Sequence, residues 1–90
     1  MKLTVKNEHG TGVTITDIHI TDIQKDISLP VPLNPGDSQT IELPDLASCH
    51  VGVTFNENGL SKKVQRPSAV TGDSEVSLVK SHSEEEPHLI

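Results

Sequence analysis

Ninety residues with one aromatic side chain, Phe55, and no tryptophan or tyrosine allow one domain, with a core of valine, isoleucine and leucine. Thirteen acidic against seven basic residues give a formal net charge of −6, which argues against nucleic acid and anionic membranes as partners. Cys49 is the single cysteine, so no internal disulfide can form. A reducing, cytoplasmic location is the expectation, with no targeting leader or membrane span in the chain as given.

Alternation with period two begins at once. Leu3 and Val5 fall on one face of a first strand, and a turn-like run from Asn7 to Gly12 follows. Val13 and Ile15 alternate with threonines, and Ile18 and Ile20 continue in the opposite phase. One extra residue near Asp17, a β-bulge or bend, accounts for the switch. Ile27, Leu29, Val31 and Leu33 alternate next. Pro30 and Pro32 lie between them and cannot donate ladder hydrogen bonds, which predicts an edge strand or extended connection.

Asn34-Pro35-Gly36-Asp37 reads as a turn of type II, followed by a strand through Ile41 and Leu43 that Pro44 ends. Cys49, Val51, Val53 and Phe55 form the clearest inward face, with His50, Gly52, Thr54 and Asn56 outward. Asn58-Gly59 predicts a tight type I′ hairpin returning through Leu60 to Arg66. Thr71-Gly72-Asp73 is a further turn, and Val76 and Leu78 mark a last strand ending near Lys80. Residues 81–90 carry Glu84, Glu85 and Glu86 without apolar period, and read as a disordered acidic tail.

About seven short strands predict an all-β fold: a small antiparallel two-sheet β-sandwich over residues 1–80, with the tail over 81–90. A small barrel is the alternative. The runs Gly10 to Ile20 and Leu33 to Pro44, Cys49 with Val51 and Val53, and the turn Asn56-Glu57-Asn58-Gly59 carry a resemblance. In these the chain resembles a group of small bacterial immunoglobulin-like β-sandwich domains of unassigned function. The resemblance implies the fold and no catalytic or binding residue.

Few constellations suggest chemistry. Cys49-His50 invites a thiol-nucleophile reading, but neighbours on a strand point to opposite faces, and a buried inert thiol is expected. His19 and His50 both point outward. On neighbouring strands, with Asp17 on the face of His19, they could approach one metal, although three or four ligands would be wanted. His82 and His88 stand near the glutamates of the tail. Asp17, Asp22 and Asp26 recur at near-helical spacing without a calcium loop and read as solvated charges. Lys62, Lys63 and Arg66 read as a solvated strand face.

No catalytic, cofactor-binding or metal residue is assigned, and no cofactor or enzymatic activity is expected. The expected role is a non-enzymatic protein-interaction or accessory domain, a component of a larger bacterial or phage-encoded assembly. Its expected partner is a protein, or a second copy, held at a sheet edge or loops, with the first strand and the strand from Ile27 to Leu33 as the edges. The alternative is a metal-ion-binding domain using the outward histidines His19 and His50.

Overall fold

The computed structural model describes residues 1–8, 12–79 and 87–90. The described strands are β1 (Lys2–Asn7), β2 (Val13–Ile20), β3 (Lys25–Leu33), β4 (Ser38–Glu42), β5 (Ser48–Cys49), β6 (Val51–Glu57), β7 (Leu60–Gln65), β8 (Val70–Thr71), β9 (Ser74–Val79) and β10 (His88–Leu89). Seven of them run five residues or more, in keeping with the strand count read from the alternation. A 3-10 turn, Thr21–Ile23, joins β2 to β3.

One sheet has the order β10-β9-β1-β4, the second β3-β2-β6-β7, and β5 and β8 make a two-stranded ribbon. Described pairs are antiparallel except β1 with β9, which run parallel from Leu3↔Ser74 to Asn7↔Leu78. The inward faces of both sheets enclose one core. Leu3, Val5, Val76 and Leu78 come from the first sheet, and Ile15, Ile18, Val53 and Phe55 from the second. Phe55 is 1% exposed and is the bulkiest of the fully buried side chains, as its position on the Cys49–Phe55 face predicts.

Local signals in the sequence land where the backbone needs them. In β2 the pairing with β6 shifts between Ile15↔Phe55 and Asp17↔Thr54, so Thr16 is the inserted residue and both halves of β2 turn isoleucine to the core. Gly36 takes φ 94 in the turn before β4, where the Asp37 amide donates to the Asn34 carbonyl at 2.9 Å. Asn58 and Gly59 take φ 53 and φ 82, the pair of left-handed residues that closes a two-residue hairpin at Glu57↔Leu60.

Three expectations are corrected, and a fourth is met with a difference. The first strand is not an edge: β1 lies between β4, with which it pairs antiparallel, and β9, with which it pairs parallel, and its alternation fixes only which face is buried. The strand expected over Cys49 to Asn56 is divided at His50. The Asp22 carboxylate takes the His50 amide and the Thr21 amide takes its carbonyl, so Cys49 joins the ribbon and Val51 starts β6. Thr54 faces outward as predicted, yet is only 7% exposed, because a neighbouring strand's histidine bonds to it. Of the tail, residues 80–86 lie outside the described residues. Residues 88–89, however, form β10 against β9 and bury Leu89, whose apolar side chain joins the core.

One buried polar residue ties the two sheets together. Asn7 is fully buried at the end of β1, and its Nδ2 donates to the carbonyls of Val13 and Leu33, both at 2.9 Å. Its backbone donates to Asp37 and accepts from Gly36. Phe55→Ala is expected to cost about 3–5 kcal/mol through the cavity it leaves. Asn7→Ala, which strands two buried carbonyls, is expected to cost on the order of 2–3 kcal/mol. Thr54→Ala should cost about 1 kcal/mol. Urea unfolding of the three variants measures the order, and a Thr54→Ala as damaging as Phe55→Ala would contradict the packing described.

Candidate functional site

The outer face of the second sheet carries the best-formed polar arrangement. Pairing aligns Asp26, His19, Gly52 and Gln65 in one row across β3, β2, β6 and β7. The next outward row is Ser28, Asp17, Thr54 and Lys63. Gly52 has no side chain to fill the first row, and a Cβ there would come within 3.2 Å of the Val64 carbonyl oxygen. The result is an open groove of about 350 Å³ lined by His19, Asp26, Gly52, Lys63 and Gln65 among others.

His19 is the centre of this face. Its Nδ1 lies 2.6 Å from an Asp26 carboxylate oxygen and its Nε2 2.6 Å from the Thr54 hydroxyl. With a proton on Nδ1 donated to Asp26, Nε2 accepts from the threonine hydroxyl. A carboxylate, an imidazole and a hydroxyl in line have the connectivity of a nucleophilic triad. The burial of Thr54 argues for another use: its hydroxyl is covered and bonded to His19 on the outer face, where a substrate carbon has little access. The chain Asp26–His19–Thr54 fastens β3, β2 and β6 together across their outer face.

A second aspartate–histidine contact lies at the adjacent end of the sheet. Asp22 in the 3-10 turn accepts the His50 backbone amide, and His50 Nδ1 approaches its Oδ2 at 3.1 Å. These hydrogen bonds, the backbone one first, hold the Asp22 carboxyl below its ordinary value of 3.8. β2 and β6 are indeed neighbours, but His19 and His50 are each bound to a separate aspartate. Asp17 meets the hydroxyl of Thr16 at 3.0 Å. Among the described residues no three metal-ligating side chains gather. His88 is on β10, and His82 lies outside the described residues.

Other sequence candidates disperse. Asp17, Asp22 and Asp26 fall on β2, the 3-10 turn and β3, so their spacing reflects a hairpin and not a helix. Lys62 pairs with Glu57 at 3.1 Å, Lys63 rims the groove, and the Arg66 guanidinium donates to the carbonyls of Ser68 and Ala69. Cys49 is fully buried, and burial, with the Asp22 charge second, pushes its thiol pKa up. The Asp26–His19–Thr54 chain escaped the sequence reading. Asp26 reaches His19 only through the hairpin register that the left-handed Gln24, φ 50, helps to set.

Two measurements test this face. Because the folded-state pKa of Asp22 is lowered, its tether stabilises the fold above about pH 4 and is lost as pH falls through the folded value. The His50 amide resonance, followed from pH 6 to pH 2, should therefore move with Asp22 ionisation, and Asp22→Asn should abolish that step. Cys49 should react slowly with a disulfide reagent in the native protein and at least about a hundredfold faster in denaturant. Equal rates in the two states would place the thiol at the surface.

Comparison of the chain with protein-family models, with curated proteins and with solved structures returns no match.

Proposed function

We propose that this chain is a non-enzymatic protein-interaction or accessory domain of the immunoglobulin-like kind, working as a component of a larger bacterial or phage-encoded assembly. We further propose that it takes a partner strand along the free edge of β4. The observation that carries the reading is the unequal protection of the sheet edges. β3 closes one end of the second sheet and bears Pro30 and Pro32, which withhold two amide donors. β7 closes the other end with Lys62 and Lys63. Prolines and lysines are the usual means of blocking edge-to-edge pairing.

β4 closes the first sheet opposite β10 and has neither. Its sequence, Ser38-Gln39-Thr40-Ile41-Glu42, has no proline and a single charge at its end. Thr40 is held to Thr4 across the ladder by a 3.0 Å hydroxyl contact, so the strand is supported on its inner side. On its outer side the described residues place no further strand, and the Thr40 carbonyl accepts from the neighbouring Gln39 side chain at 3.3 Å. Main-chain pairing along such an edge needs no aromatic anchor, which suits a chain with one buried phenylalanine. The seven longer strands in two sheets support the immunoglobulin-like assignment, and the resemblance supports the bacterial or phage setting.

A photo-crosslinking residue placed at Gln39 should capture a discrete protein partner from the source cells, and one at Ser61 on β7 should not. Ser38→Lys, which copies the guard of β7 onto β4, should reduce the Gln39 adduct about tenfold, the effect of roughly 1.4 kcal/mol. Equal capture at Gln39 and Ser61, or none at Gln39, would sink the proposal.

A further inference from the structure

A different edge carries an inference independent of β4. The outer side of β9 is occupied by the short strand β10, in the pairs His88↔Val79 and Leu89↔Leu78. The ladder runs one residue further: the Ser77 amide donates to the Ile90 carbonyl at 3.1 Å, and the Ile90 amide donates to the Ser77 carbonyl at 3.0 Å. Both backbone groups of Ser77 therefore face β10, while the Leu78 carbonyl faces the other way and accepts the Glu8 amide. The side chains follow the backbone. Pro87 is buried, Leu89 is 3% exposed and belongs to the core, and Ile90 is largely exposed.

Leu89 is thus a core residue carried by the described segment 87–90. The sequence leading to it, Lys80-Ser81-His82-Ser83-Glu84-Glu85-Glu86, contains no apolar side chain to add to the core. What selects the segment is chemistry contained in Pro87 to Ile90: extended backbone, an apolar side chain at 87 and another at 89. A second copy carries the same four residues.

We propose that the outer edge of β9 is a strand-acceptor slot, and that residues 87–90 of a second copy of this chain fill it by exchange with the chain's own β10. The chain's own segment has the advantage of high effective concentration, so exchange is a reaction of concentrated protein. The charge of −6 on each copy opposes the encounter, and added salt relieves that repulsion.

The experiment mixes two full-length variants. Leu89→Asp removes the apolar plug and leaves the slot of that copy empty. Ser77→Pro removes the amide donor facing β10 while the parallel pairing to β1, made by the neighbouring residues, is kept. Each alone should be a folded monomer by circular dichroism and light scattering, and their mixture should form a one-to-one dimer that increases with salt. A mixture that stays monomeric with both variants folded overturns the proposal. Should Ser77→Pro fail to fold, a labelled peptide of the sequence of residues 84–90 is titrated into Leu89→Asp. Saturable binding at least tenfold tighter than to the wild-type chain supports the slot, and its absence overturns it.

Discussion

The fold depends on the side chain of Asn7. A two-sheet core made of valine, isoleucine and leucine is non-directional: it holds the sheets together without fixing how one sits on the other. Asn7 supplies the missing direction. From the last position of β1 in the first sheet, its amide reaches the carbonyls at the start of β2 and the end of β3 in the second. Its main chain meanwhile holds the turn from Asn34 to Asp37 that leads the chain back into the first sheet. Three strands and one turn are set by one residue, in a buried environment where an unmade hydrogen bond is costly.

The outer face of the second sheet is organised by similar means in wetter surroundings. Two histidines each take an aspartate, and both aspartates belong to the β2–β3 hairpin or its turn. Asp26 pins the returning strand, and Asp22 pins the place where β5 gives way to β6. Because the contacts of Asp22 and Asp26 are exposed to solvent, their energetic weight is modest. Their effect is to choose among nearby registers, which a sheet with alternating residues otherwise leaves close in energy.

Features that depend on a few consecutive residues could be read from the sequence. The Asn58-Gly59 hairpin, the Gly36 turn and the phase change that marks the bulge at Thr16 each follow from local sterics or from counting to two. Features that depend on which strand lies beside which could not. Nothing in Leu3 and Val5 distinguishes a central strand from an edge. Asn7, at the start of a glycine-rich stretch, looks like a turn residue until β3 is brought back over it. Leu89, one leucine after an acidic run, has too little context to announce a strand. The candidate site was half visible: His19, His50 and Asp17 were recognised as outward polar residues. The partners of the two histidines, Asp26 and Asp22, read as solvated charges in the sequence, because their positions follow from the β2–β3 hairpin.

The parallel pairing of β1 with β9 carries a consequence for the order of events during synthesis. Residues 3–7 pair with residues 74–78, so the central ladder of the first sheet joins segments separated by most of the chain. On a ribosome, Leu3 and Val5 emerge early and must wait, uncovered on one side, until Val76 and Leu78 have been made. The second sheet has no such delay, since β2, β3, β6 and β7 join through hairpins and nearer neighbours. The nascent chain can therefore assemble that half first, and hold β1 as an unfinished template until β9 has been made.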